Sequence, residues 1–166
     1  INFQLIPAPG KSEVITNSHQ IWNTNARKVM FPYFQDSVEA YRFIAEKVLG
    51  GNKVYVPSNS RAFTAKLVEY LTDNTPGAPK IDRDRILYLN RDTDITPACE
   101  WDKYDCVIVT PTVLAGISCD SKLFDITIGY FSNHSCNAHQ AMQMIGRVRH
   151  LRKEKLYIYV SEKNNQ

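Results

Sequence analysis

Long apolar runs are missing from this sequence. Nothing in it approaches the roughly 20 consecutive apolar residues that a membrane-spanning helix needs. Its opening residues also lack the basic-then-apolar pattern of a secretory signal, so no membrane partner is expected. Cysteine is sparse: Cys99, Cys106, Cys119 and Cys136 stand far apart, with no close pair of the kind that clamps zinc. A disulfide framework is therefore disfavoured, and a reduced, intracellular compartment fits better. Cys106 sits in an apolar run and reads as a buried free thiol. No G-x-G-x-x-G follows any strand-like segment, which argues against a dinucleotide-binding Rossmann enzyme. Gly10-Lys11-Ser12 has the ending of a phosphate loop, but Leu5 stands where that pattern needs its first glycine. Pro7 and Pro9 also remove two amide donors from that stretch. The chain thus carries no phosphate loop of its own. It opens on Ile1 rather than Met, which suggests a segment of something longer.

Internal repeats and low-complexity tracts are also absent. The 166 residues suffice for one domain with a real core. With 20 basic against 17 acidic residues, a net charge of +3 permits a polyanionic partner without demanding one.

The first 35 residues are ambiguous: residues 1–6 suit a strand, and residues 17–30 fit helix or loop. Beyond Phe34 the pattern clears. Asp36 or Ser37 can cap a helix with Val38, Tyr41, Ile44, Val48 and Leu49 on one face, ending at Gly50-Gly51. Residues 53–56 read as a strand. Ser60 can cap a second helix with Phe63, Leu67 and Leu71 inward. Residues 72–80 form a polar surface connection. Residues 85–89, 105–110, 125–131 and 156–160 read as further strands, and Asn137 can cap a helix with Ala141, Met142, Ile145 and Val148 inward. Strands alternating with helices, several of them unbroken apolar runs, indicate an α/β domain with a mainly parallel sheet flanked by helices. Ligands of such sheets bind beyond the strands' carboxyl ends, where the segments of chemical interest are expected to fall.

The segment Gln143-Met144-Ile145-Gly146-Arg147-Val148-Arg149 stands out. On a helix, Gln143, Gly146, Arg147 and His150 fall near one face. A glycine inside a helix costs about 1 kcal/mol relative to alanine, so close backbone approach is the expected reason for Gly146. Two arginines beside it offer rigid, permanently charged forks suited to a polyphosphate. A solvated basic helix end accounts for the same composition. His134 and His139 flank Cys136 without a fourth ligand nearby, so no metal site is expected. Trp101 and Tyr104 suit packing under the sheet better than stacking on a base.

Gln143-x-x-Gly146-Arg147-x-Arg149 resembles motif VI of superfamily 2 helicases, in which one arginine contacts the γ-phosphate of ATP held by the other motor domain. The position of the family's final arginine holds His150, with Arg149 one residue early, so Arg147 and Arg149 both remain candidates for the arginine finger. Upstream, the stretch from Thr110 through Pro111 and Thr112 to Gly116 and Ser118 resembles motif V, whose residues contact the nucleic-acid backbone and couple that contact to ATP. Residues 54–71 resemble motif IV, with Ser58, Asn59 and Arg61 as phosphate contacts. Residues 87–91 resemble the next strand and its exit, adding Asn90 and Arg91. The resemblance covers roughly residues 36–162. It is closest to the replication origin-binding helicases of large DNA viruses, which share the G-R-V-R ending and the Gly-x-Ser-x-Asp run, here Gly116-Ile117-Ser118-Cys119-Asp120.

The resemblance implies a lead-in or linker over 1–35 and a second RecA-like motor domain over 36–166. It assigns Gln143, Arg147 and Arg149 to catalysis, and Gly116, Asp120 and Gly146 to the nucleotide. Ser58, Asn59, Arg61, Asn90, Arg91, Thr110, Pro111 and Thr112 fall to nucleic acid. ATP with Mg2+ would be bound mainly by a first RecA-like domain of the same polypeptide. The partners would be single-stranded or duplex DNA, that first domain, and a primase or origin-recognition region, at a viral replication site inside the host cell. The competing expectation is a RecA-like fold kept as a non-motor docking module of a replication protein. The missing phosphate loop predicts that the 166-residue chain alone does not hydrolyse ATP. Steady turnover by the purified chain would refute that expectation.

Overall fold

The computed structural model describes residues 14–16, 28–90, 92, 96–111, 119, 121–132 and 138–161. Among them the elements are β1 (Val14–Thr16), β2 (Lys28–Met30), α1 (Ser37–Leu49), β3 (Val54–Pro57), α2 (Arg61–Thr72), β4 (Ile86–Leu89), β5 (Cys106–Val109), β6 (Ile126–Ser132), α3 (Ala138–Ile145) and β7 (Lys155–Ser161). Short 3-10 turns at Arg83–Arg85 and Ala98–Lys103 lead towards β4 and β5. The strands form one seven-stranded sheet in the order β1-β2-β7-β6-β3-β5-β4. All neighbours pair in parallel except β1, which runs antiparallel to β2. Within the stretch expected to be a lead-in or linker, residues 14–16 and 28–30 add two strands to this sheet. The expected strand over residues 1–6 lies outside the described residues.

The sheet is parallel because its central strands are apolar on both faces, which requires cover on both sides. Every residue of β3, β5 and β6 is buried. One face carries Val54, Val56, Cys106, Ile108, Ile126, Ile128 and Tyr130 against α1 and α2. The other carries Tyr55, Val107, Val109 and Phe131 against Trp101 and the α3 residues Ala141, Met142 and Ile145. Trp101 is fully buried, as a packing role requires. Burial, aided by the neighbouring Asp105 carboxylate, pushes the Cys106 thiol up to about 12. Among the described residues no helix is long and apolar enough to cross a membrane.

Local signals set the helix ends. The Asp36 carboxylate accepts the Glu39 N–H at 3.0 Å, and the Glu39 carboxylate reaches back to the Gln35 N–H at 2.5 Å. Helix α1 ends at Gly50, and Gly51 takes φ +93°, a left-handed turn that suits glycine. The buried face of α1 is Ala40, Tyr41, Ile44, Ala45 and Val48. Val38 and Leu49, expected inward, are exposed at 45% and 60%, because the small Ala40 and Ala45 face the sheet instead. Ser60 Oγ accepts the Phe63 N–H at 3.2 Å and caps α2, as its sequence indicates. An aromatic seam fills the space under α1 and α2. It runs from Phe63 stacked on Tyr130 (3.7 Å between centroids) through Tyr159 and Phe34 to Phe43. In the opposite layer the Phe131 ring folds over Gly129, where an added Cβ would lie 2.7 Å from a ring carbon.

One residue, through its carboxylate and its backbone, ties the strand beginnings together. Asp125 is 6% exposed, and its Oδ2 accepts the Lys53 N–H at 2.8 Å. Its backbone N–H donates to the Lys53 carbonyl at 2.9 Å, and its carbonyl accepts from Lys153 at 3.1 Å. The approaches to β3, β6 and β7 are thus held at one residue. Asp125→Ala removes the buried acceptor and is expected to destabilise the fold by about 1–3 kcal/mol. Urea unfolding should show a lower midpoint with an unchanged slope, and an unaltered midpoint would rule out this role.

Candidate nucleotide and nucleic-acid site

The residues singled out by sequence fall into two groups. The exits of β3, β4 and β5 share the carboxyl edge of the sheet, which places Ser58, Asn59, Arg61, Asn90, Thr110 and Pro111 along it. The arginine segment is elsewhere. Helix α3 joins two neighbouring parallel strands, so it runs back from the carboxyl edge. The chain after it reaches the amino edge, where Arg152 N–H bonds the Phe124 carbonyl at 2.8 Å just before β6. The expectation that every segment of interest lies at a strand exit therefore fails for Gln143–Arg149.

The helix also ends sooner than expected. α3 stops at Ile145, so Gly146 and Arg147 are in a turn and Val148 is in an isolated bridge. The helix-interior argument for Gly146 does not apply. A Cβ there would instead press to 3.3 Å from the Met142 carbonyl, whose oxygen accepts the Gly146 N–H at 2.9 Å. Cys119 pairs with Val148 in parallel: its N–H donates to the Arg147 carbonyl at 2.7 Å, and its carbonyl accepts from Arg149 at 3.2 Å. The chain leaving β5 is thereby anchored to the arginine segment at Cys119. From the sheet, the Tyr55 hydroxyl donates to the Met144 carbonyl at 2.6 Å. Burial pushes the Tyr55 phenol far above its ordinary value, opposed by the nearby Arg147 guanidinium and reinforced by Cys119.

The two arginines differ. Arg147 is half-buried, and its Nε is sealed from solvent with no hydrogen-bond partner among the described residues. A buried cationic donor without an acceptor is costly. Its complement is an anionic oxygen, so the position fits a phosphate. Arg149 and Gln143 are exposed.

At the carboxyl edge the structure reassigns several residues. Ser58 is fully buried and its Oγ accepts the Ser60 N–H at 3.1 Å, so it shapes the loop rather than facing a ligand. Thr110 is 1% exposed, with its N–H bonded to the Leu89 carbonyl at 3.1 Å and its hydroxyl turned to the same oxygen. Neither hydroxyl is presented to a nucleic acid. Pro111 has no N–H to donate. Asn59 uses both ends of its amide as a clamp: Oδ1 accepts the Ser132 N–H at 2.7 Å, and Nδ2 donates to the Ser132 carbonyl at 3.1 Å. It welds the β3 exit to the β6 exit. Arg61 remains exposed and pairs with Asp92 at 3.0 Å, while Asn90 Oδ1 accepts the Asp92 N–H at 2.8 Å. Arg91, Thr112, Gly116 and Asp120 lie outside the described residues, as do His134, Cys136 and Asn137. The described residues contain no cluster suited to a metal ion. Sequence reading missed Tyr55 and Asp92: a tyrosine within an apolar strand reads as core, and an acidic residue gives no phosphate signal.

The fold is RecA-like, a mainly parallel sheet flanked by helices. It resembles a DUF1998 helicase, MrfA, solved bound to DNA, with a TM-score of 0.53 at 15% identity over 85% of this chain and 22% of that one. It also resembles the UvsW helicase of bacteriophage T4, with a TM-score of 0.51 at 10% identity over 96% of this chain and 56% of that one. Residues 16–166 match the family described as "Origin of replication binding protein", and the chain belongs to that family. A protein of African swine fever virus (isolate Pig/Kenya/KEN-50/1950), named for a helicase/primase complex, is 29% identical over 87% of this chain. The replication origin-binding protein of human herpesvirus 2 (strain HG52) is 30% identical over 69% of it. The chain spans only 14% and 12% of the length of those two relatives.

The Asn59 clamp generates a direct test. Asn59→Ala removes one bond from each Ser132 backbone group and should cost about 1–3 kcal/mol. Amide hydrogen exchange at Ser132 should accelerate selectively. Unchanged protection there would dismiss the clamp.

Proposed function

We propose that this chain is the second motor domain of an ATP-dependent DNA helicase or translocase of viral replication. In this reading Arg147 contacts the γ-phosphate of a nucleotide held by another motor domain. The observation that carries it is the Arg147 guanidinium: anchored through its backbone, partly withdrawn from water, and with a buried Nε that lacks an acceptor among the described residues. Arg149, more exposed and one bridge residue further on, is assigned to the rim of the same site. Gln143 and Gly146 complete this side, with Gly116 and Asp120 as the contributions that the family resemblance assigns to the nucleotide. ATP with Mg2+ supplies the scissile phosphoanhydride and its charge neutralisation. This chain's share is a fixed positive charge facing the transferred phosphoryl group.

The carboxyl edge would take the DNA backbone through Arg61 and Asn90, joined by Arg91 and Thr112. A phosphate is a natural competitor for the exposed Arg61–Asp92 pair, whose mutual attraction in water is weak. Contacts of this kind give little sequence preference and strong salt dependence. The chain from Pro111 to Cys119 starts at that edge and ends on the arginine segment. It is therefore the direct covalent route by which strand contact and phosphate contact influence each other.

In the full-length protein, Arg147→Ala should lower kcat for DNA-stimulated ATP hydrolysis by about a thousandfold while leaving single-strand binding measurable. Near-normal hydrolysis by this variant would remove Arg147 from the mechanism, and near-normal hydrolysis by Arg149→Ala as well would favour the docking-module alternative.

A further inference from the structure

Tyr55 lies at the centre of β3 with no exposure to solvent. Its ring stacks on Trp101 (6.0 Å between centroids, 21° between planes) and meets Phe124 edge-on at 6.4 Å. A phenylalanine would make the same packing. The hydroxyl adds nothing to these contacts and is costly to bury unless bonded. Its bond goes to the Met144 carbonyl at 2.6 Å, across the sheet-to-helix interface.

That carbonyl is in the last turn of α3, where helix oxygens run out of partners along their own chain. It also accepts the Arg147 N–H, at a longer 3.3 Å. Two donors thus converge on one oxygen, and the shorter bond comes from the rigid sheet. The other backbone group of Arg147, its carbonyl, is held by Cys119 N–H at 2.7 Å. The arginine backbone is consequently fixed on both sides, once by the chain leaving β5 and once by an oxygen that β3 holds in place.

We propose that Tyr55 is a positioning residue for Arg147, fixing the Met144 carbonyl from which the Arg147 backbone hangs. This rests on the assignment of Arg147 to phosphate contact. A long side chain amplifies any tilt at its base, and a misplacement of order 1 Å can cost about a hundredfold in rate. Loss of the hydroxyl alone loosens the carbonyl without opening a cavity, so a smaller effect on turnover is expected, with ground-state nucleotide binding spared.

The test uses the full-length protein and DNA-stimulated ATP hydrolysis by Tyr55→Phe, Arg147→Ala, their combination, and Tyr88→Phe. Tyr88 is the control, since its hydroxyl bonds Thr64 Oγ1 at 2.8 Å on the opposite face of the sheet. Tyr55→Phe should lower kcat about tenfold with KM for ATP changed less than about twofold. Tyr88→Phe should leave kcat unchanged, and the double variant should be no slower than Arg147→Ala alone. Amide exchange at Arg147 should rise in Tyr55→Phe and not in Tyr88→Phe, a readout independent of turnover. Wild-type kcat, unaltered exchange at Arg147, equal losses in both hydroxyl variants, or multiplying effects in the double variant would each overturn the positioning role while leaving Arg147 in place. Normal hydrolysis by Arg147→Ala would instead overturn the assignment of Arg147, and this inference with it.

Discussion

Two backbone hydrogen bonds at Cys119 govern the rest of the site geometry. The Cys119 N–H to the Arg147 carbonyl and the Arg149 N–H to the Cys119 carbonyl turn a short stretch after α3 into a bridge. Without them Arg147 would lose the bond that holds its carbonyl and keep the N–H bond to the Met144 carbonyl on the other side. The bridge is itself held by burial: Cys119 and Val148 are both in the apolar layer beneath the sheet, at 1% and 0% exposure. Hydrophobic packing thus fixes the position of a charge without contributing any part of the charge itself.

This arrangement separates two jobs within one rigid body. The parallel sheet presents loops at its carboxyl edge, where Arg61, Asn90 and Asp92 lie. The return of α3 carries the arginines towards the other edge. Between the edges stands a core buried on both faces, in which the Asp125 carboxylate and the Asn59 amide act as fasteners at opposite ends of the strands. Such a body transmits displacement because closely packed interiors compress little.

Much of this was readable from residue order. Strand patterns over residues 53–56, 105–110 and 125–131, the second a nearly unbroken apolar run, indicate buried strands of a parallel sheet, and Asp36 or Ser37 and Ser60 indicate helix starts, because both signals are local. What failed was decided by tertiary contact. Val38 and Leu49 match a helical stripe, yet the sheet is contacted by Ala40 and Ala45. Ser58, Asn59 and Thr110 have the chemistry of phosphate donors, but nearby backbone groups claim their side chains first. The helix expected to continue through Val148 stops at Ile145, because the bridge to Cys119, a pairing across a large sequence separation, competes with continued helix. Strands β1 and β2 are three residues each and take their conformation from pairing beside β7, so their own sequence gave little sign of them.

The packing of Trp101 gives the molecule an internal light source. Its indole is sealed from solvent, donates to the Thr96 carbonyl at 3.1 Å, and lies against the same Tyr55 ring whose hydroxyl holds the end of α3. Indole emission responds to nearby polar groups and to water. A shift of Tyr55 relative to the arginine segment would therefore register as a change in colour or intensity from a native residue. With Trp22 replaced by phenylalanine, Trp101 is the sole indole of these 166 residues, and the link between sheet and arginines can be followed optically in solution with no label attached.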